Sequence, residues 1–234
     1  MPACKLNKIG DYRSIVCDMD GTLYFQAPVR AAMMLELLAY HAVHPWRAGD
    51  LLILRSFRRL RESAELVESR DFDRGQYLLT AQKCKTTPGH VRAVVEQWMQ
   101  KKPLKWLRLF RDGTLIERLN GLRRQGVKII VFSDYPAEEK TVEIGLCADG
   151  VFSASDRDIG ELKPSVRGLA VIAEKMSLKK SEMLMIGDRH EKDGKCAENF
   201  SIDCLILKRG VIARAFQPVD HFYRNHQHQR EDQG

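Results

Sequence analysis

A short apolar run, Ser14-Ile15-Val16-Cys17, ends in Asp18-Met19-Asp20-Gly21-Thr22. This junction constrains the chain more than any other stretch. An uninterrupted apolar run reads as a strand buried on both faces, which is a parallel-sheet signature. In extended chain the carboxylates at positions 18 and 20 fall on one side. Gly21 lets the backbone turn sharply behind them. Two acids so close repel unless a cation or a shared proton resolves the conflict. A hard cation such as Mg²⁺ binds through one or two carboxylates together with a substrate phosphate. The junction therefore predicts a metal-assisted centre acting on a phosphate-like group, although an acid pair in a turn also fits a solvated loop or a helix cap.

Three later segments bear on that choice. Val127-Lys128-Ile129-Ile130-Val131-Phe132 is a second apolar run, closed by Ser133-Asp134, and its terminal hydroxyl is placed to hold a phosphate oxygen. Glu161-Leu162-Lys163-Pro164 sets a lysine just before a helix start, where proline is tolerated. Met183-Leu184-Met185-Ile186-Gly187-Asp188 is a third buried run ending in an acid, with Asp193 following. Each alone also fits an ordinary strand end or loop.

Taken in order, the four segments resemble the motifs of the haloacid dehalogenase-like (HAD) hydrolase superfamily, most of whose members are Mg²⁺-dependent phosphatases. The likeness spans roughly residues 13–209. It implies an α/β core, a Rossmann-like doubly wound parallel sheet of strand order 3-2-1-4-5, with an α-helical cap inserted after the first motif. By the resemblance, Asp18 is the nucleophile, Asp20 the general acid and base, and Lys163 the neutralising cation. Thr22, Ser133, Asp134 (through its amide) and Lys163 hold the phosphoryl oxygens. Mg²⁺ is held by Asp18, the Asp20 carbonyl, Asp188 and Asp193. The second acid argues against dehalogenation, which dispenses with it. A phosphomutase of the same superfamily, or a phosphate-binding regulatory protein without turnover, stays open. A second Asp-Gly-Thr at 112–114 lacks a preceding strand and has Phe110 where the first acid is needed.

Organisation follows from periodicity. Strands are expected near residues 13–18, 127–132, 150–153, 183–188 and 202–207, separated by helices in the second half. Residues 26–112 read as helical, with apolar spacing in 31–40, 50–66, 88–99 and 103–110. The expected division is a core of 1–25 and 113–216, a cap of 26–112 and a flexible tail of 217–234 that is rich in histidine. Whole-chain charge is +7, and residues 26–112 hold 16 Lys and Arg against 9 Asp and Glu, so the insert carries the positive surplus. Such a field could steer a polyanionic substrate. Arg55, Arg58, Arg59 and Arg61 beside Leu51-Leu52-Ile53-Leu54 also allow a basic amphipathic helix touching a membrane surface or a lipid-linked phosphate. No reading module for nucleic acid accompanies the charge. Six cysteines stand singly with no C-x-x-C spacing, as in a reducing compartment. No signal-peptide apolar segment or membrane-spanning run is present in the sequence, so a cytoplasmic monomer or homodimer is expected.

Overall fold

The structure is a computed structural model that describes residues 12–61, 72–208 and 219–223. The chain divides into two compact units, one made of residues Met1–Phe25 and Arg111–Gly234, the other of Gln26–Phe110.

The first unit is built on one sheet. Strands β1 (Ser14–Cys17), β2 (Lys128–Ser133), β3 (Gly150–Ser153), β4 (Met183–Gly187), β5 (Asp203–Lys208) and β6 (Val219–Tyr223) lie in the order β3-β2-β1-β4-β5-β6. The first five are parallel and give the expected order 3-2-1-4-5. Helices α6 (Gly113–Arg124), α7 (Glu138–Glu143), α8 (Arg167–Lys175) and α9 (Lys195–Phe200) connect them. All four β1 residues and all five of β4 are buried. Burial on both faces explains why these strands read as unbroken apolar runs rather than alternating ones. One layer of the core joins Val16, Ile130, Phe132, Met185 and Ile206 of the strands to Leu169 and Ile172 of α8 and Phe200 of α9. Gly168 permits the close approach of α8, since a Cβ there would stand 2.1 Å from the Phe132 ring.

β6 lies within the stretch expected to be a flexible tail, which is thereby corrected for Val219–Tyr223. It pairs antiparallel with β5, from Cys204↔Tyr223 to Lys208↔Val219. The physical reason is an edge effect: without β6, β5 would present a row of unpaired backbone groups. The remaining tail positions fall outside the described residues.

Register places the functional edge. Cys17 pairs with Val131 on one side and Ile186 on the other. Asp18, Ser133 and Asp188 follow those residues by one or two positions, so the three motif ends lie side by side. Connections run from β1 to β2 and β3 in one direction, then back to β4 and β5 on the other side. The carboxyl edge beside β1 is therefore the topological switch point, where folds of this kind bind ligands.

The second unit is helical, comprising α1 (Gln26–Val43), α2 (Gly49–Arg61), α3 (Phe72–Lys83), α4 (Pro88–Val95) and α5 (Lys102–Phe110). A wide π turn, Glu96–Lys101, links α4 to α5 ahead of Pro103, which has no N–H to donate. Ile53, Leu54 and Phe57 of α2 pack with Tyr77, Val91, Val94 and Trp98 in a core of the unit's own. The apolar face of α2 is thus turned inward, and Arg61 is 2% exposed. Its guanidinium donates to Gln76 Oε1 at 2.6 Å, while Gln76 Nε2 donates to the Phe57 carbonyl at 2.7 Å. Periodicity did not mark α3, because Gln76 and Thr80 occupy its inner face and interrupt the apolar spacing. The end of the helix expected over 50–66 lies outside the described residues. No described helix is long and apolar enough to cross a membrane.

Candidate active site

Asp18 leaves β1 with its amide donating to the Ile186 carbonyl at 2.8 Å, which fixes its backbone against β4. Gly21 adopts φ +103°, and a Cβ on it would stand 2.2 Å from Asp188 Oδ2. Glycine is thus required both for the turn and for the approach of the acid from β4. Asp193 reaches the same place from the turn after β4, lying so close to Gly187 that a Cβ there would be 2.3 Å from its own Cβ. Carboxylate oxygens of Asp18, Asp188 and Asp193 lie within 4.8 Å of one another.

Lys163 is the counterion to this trio. Its Nζ touches Asp18 Oδ1, donates to Asp193 Oδ1 at 2.7 Å and reaches the Phe132 carbonyl at 3.3 Å. The residue is 2% exposed. Burial works against its charge, but Asp18, Asp193 and Asp134 outweigh that and hold its pKa well above the ordinary lysine range. Asp134 anchors the Lys163 segment directly, its Oδ1 accepting from the Lys163 amide at 3.0 Å. Its Oδ2 accepts from Lys192 at 3.0 Å. The Asp134 carboxylate is therefore engaged within the fold. Burial pushes Asp18 up to about 8, against the pull of Lys163 and with the help of Asp193. Burial and Asp193 likewise raise Asp188 to about 6, opposed by Arg189.

One buried oxygen of Asp188, Oδ1, has no hydrogen-bond partner among the described residues. An orphaned acceptor among three acids is the arrangement a divalent cation satisfies, and an oxygen-only donor set suits a hard ion. The residues present thus fit a metal, held by Asp18, Asp188 and Asp193.

Asp20 is not part of that trio by its side chain. Its Oδ1 accepts from Lys140 Nζ at 2.7 Å and from the Tyr24 hydroxyl at 2.5 Å. Burial raises its pKa, but the Lys140 charge and the Lys140 and Tyr24 hydrogen bonds bring it below the ordinary carboxylate value. Both Asp20 contacts are additions to the motif set. Tyr24, just past the first motif, could have been placed in a hinge or toward a ligand, and it holds Asp20. Lys140 carried no sequence signal, since nothing in a helix seven residues past Ser133 marks which face it presents. Lys192, on Asp134, was equally unmarked.

The other motif residues surround the trio. Thr22 Oγ1 donates to Asp18 Oδ2 at 3.1 Å, and the Ser133 hydroxyl accepts from the Tyr135 amide at 3.2 Å. Thr22 and Ser133 are both fully buried. Arg189 is half-exposed, 3.9 Å from Asp188 Oδ1 and 4.0 Å from Asp134 Oδ2, with its amide donating to Asp193 at 3.1 Å. The second Asp-Gly-Thr has a separate use: Asp112 caps α6 by accepting from the Leu115 amide at 3.0 Å.

Comparison with known proteins bears on the family and the fold. A family model described as haloacid dehalogenase-like hydrolase matches residues 12–200. No curated protein sequence matches the chain significantly. Among solved structures, a 2-haloacid dehalogenase from Pseudomonas syringae pv. Tomato DC3000 superposes with TM-score 0.58 at 14% identity, covering 82% of this chain and 85% of that one. The L-2-haloacid dehalogenase of Xanthobacter autotrophicus gives 0.56 at 17% identity, over 87% and 80%. A HAD phosphatase from Thermococcus onnurineus gives 0.51 at 17% identity, over 85% and 87%. At such identities these structures speak to fold alone. A sheet of order 3-2-1-4-5 with four motifs converging at its switch point, matched by the family model over most of its length, makes this chain a member of the haloacid dehalogenase-like hydrolases.

Proposed function

We propose that the protein is a Mg²⁺-dependent phosphomonoester hydrolase that works through an aspartyl-phosphate on Asp18. The observation that supports this most is the division between the two acids of the first motif. Asp18 sits in the trio against Lys163, whereas Asp20 is held outside it by Lys140 and Tyr24. Paired acids in contrasting surroundings are the usual basis for separate nucleophile and acid–base roles.

In this reading an Asp18 oxygen attacks phosphorus and the bond from phosphorus to the leaving oxygen breaks. Asp20 passes a proton to that leaving oxygen. Because Lys140 keeps Asp20 ionised in the ligand-free protein, the proton has to be brought; a phosphomonoester with its second pKa near ~6 can arrive as the monoanion and supply it. Asp20, ionised again, then takes a proton from the water that hydrolyses the acyl phosphate. Thr22, Ser133 and the backbone amides of Met19 and Asp134 would orient the phosphoryl oxygens, and Lys163 would oppose the charge that accumulates on them. Bound Mg²⁺ would neutralise the repulsion among Asp18, Asp188 and Asp193, favour ionised Asp18 and polarise the phosphoryl group. The Gln26–Phe110 unit is proposed as the substrate-selecting cap, and a small-molecule or lipid-linked phosphate as the substrate. The cysteines Cys17, Cys84, Cys147, Cys196 and Cys204 are free thiols, which supports a cytoplasmic setting.

The test is a phosphate-release screen over a broad panel, p-nitrophenyl phosphate included, with Mg²⁺ titrated against EDTA. Metal-dependent turnover that vanishes in Asp18→Asn, with the fold retained by circular dichroism, supports the reading. Full activity in Asp18→Asn, or no phosphate released from any substrate, overturns it.

A further inference from the structure

The helical unit contains a groove that the four motifs do not explain. It holds about 960 Å³ among α2, the end of α3 and the start of α4. That is within the range of small-molecule sites, about 300–1,000 Å³. Among the described residues its lining is strongly cationic, with Arg47, Arg55, Arg59, Lys83 and Lys85 against the single acid Asp50.

Of those five cations Asp50 pairs only with Arg47 among the described residues. It is 4% exposed and already engaged by His90 Nε2 at 2.9 Å and by Arg47 at 3.8 Å. Arg55, Arg59 and Lys85 are exposed and form no ion pair among the described residues. Arg55 and Arg59 are one helical turn apart on α2, a spacing at which like charges destabilise a helix. Lys85 has φ +51°, a left-handed conformation that a lysine adopts only at a cost. It lies two positions past the end of α3, in the turn that closes the helix, where its amide donates to the Gln82 carbonyl at 3.2 Å. Three cations without an ion pair among the described residues thus line one groove, and an anion would relieve them.

The same groove exposes an apolar wall. Trp46 is 75% exposed and Leu52 is 64% exposed, although each could have contributed far more by burial. Trp46 is steadied edge-on by His44, with ring centroids 5.2 Å apart. An aromatic surface beside clustered guanidinium groups is complementary to a ligand with a planar or apolar body and a phosphate end.

We propose that this groove binds a diphosphate ester with an apolar or aromatic body, its phosphates on Arg55, Arg59 and Lys85 and its body against Trp46. Two sources share that chemistry, a soluble nucleoside diphosphate and a lipid diphosphate, and they separate experimentally. The site lies wholly within the helical unit and does not depend on the phosphatase reading.

Binding to the intact protein is measured by calorimetry and by tryptophan fluorescence, using inorganic pyrophosphate, ADP, and phosphatidylcholine vesicles with and without diacylglycerol pyrophosphate. The parent is compared with Arg55→Gln/Arg59→Gln and with Trp46→Phe. Phosphate groups at the motif site are unaffected by these changes, so the difference between parent and variant isolates the groove. The double substitution is expected to weaken pyrophosphate and ADP binding about tenfold or more for each arginine. Trp46→Phe is expected to abolish the fluorescence response and weaken ADP more than pyrophosphate. Vesicle binding that needs the lipid diphosphate, with no response to ADP, assigns the lipid source; the reverse assigns the soluble one. Equal affinities in the parent and a folded double variant, or no binding of any of the three probes by the parent, would overturn the proposal. Because turnover is not a readout, a failed phosphatase screen leaves this result interpretable.

Discussion

Lys163→Met is the most informative single perturbation of the acid trio. The parent ammonium is completely enclosed, touches Asp18 and lies 2.7 Å from Asp193 Oδ1. Methionine preserves most of the volume and removes the charge, leaving three carboxylates within 4.8 Å with no buried cation. Removing one partner of a buried pair costs about 3–5 kcal/mol. For a unit of this size each kcal/mol lowers Tm by about 2–4 °C, so a fall of about 6–20 °C is expected at pH 8 in EDTA. Two features give the loss a signature that a packing defect would lack. Asp18 and Asp188 can take up protons, with pKa values pushed to about 8 and about 6 even beside the lysine, so the deficit should shrink toward pH 5.5. A divalent cation can also replace the missing charge, and at a hundred times its Kd it would restore about 2.7 kcal/mol. Differential scanning calorimetry at two pH values, with and without Mg²⁺, reads all three. A variant melting within a degree of the parent at pH 8 in EDTA would refute the electrostatic account, as would a deficit insensitive to both pH and metal.

Two other expectations follow from the same geometry. Lys140→Met removes a largely buried, charge-assisted hydrogen bond to Asp20, so stability should fall by about 1.5–3 kcal/mol and kcat should drop more than KM rises, with Lys140→Arg recovering part of both; unchanged melting and kinetics would discard the role of Lys140. In the metal-free parent, Asp18 and Asp188 bind protons in the folded state that the unfolded chain releases near its ordinary value of 3.8. Stability without metal should accordingly decline as pH rises from about 4 through about 8, and saturating Mg²⁺ should flatten the decline, as thermal melts across that range would report.

Sheet and motif positions were legible because their causes are local and repetitive. β1, β2 and β4 are buried on both faces, so their sequences are plain apolar runs, and each ends in the residue that the register carries to the switch point. The helical unit was harder to read. Its α3 turns Gln76 and Thr80 inward, where Arg61 and the Phe57 carbonyl satisfy Gln76, and a polar inner face erases the periodic signal. Arginines that looked like one exposed basic face of α2 divide in the fold: Arg61 is buried against Gln76, whereas Arg55 and Arg59 line the groove. Lys140 and Lys192 could not have been singled out, because their partners, Asp20 and Asp134, lie 120 and 58 residues away. Pairing over such distances depends on where the sheet brings loops together, which spacing along one stretch of chain does not encode.

The insertion between β1 and β2 also shapes how the protein is made. β1 is central, yet both its ladder partners, β2 and β4, come after the whole of Gln26–Phe110 in the chain. During synthesis the strand and its two acids emerge more than a hundred residues before Lys128, and longer still before Lys163. The helical unit has a core of its own and can condense meanwhile, drawing the two ends of the interruption together and shortening the loop that must close. Until then a bare apolar strand waits without neighbours, the kind of segment that nascent chains hand to chaperones. Truncation within residues 26–110 should for that reason injure assembly of the sheet.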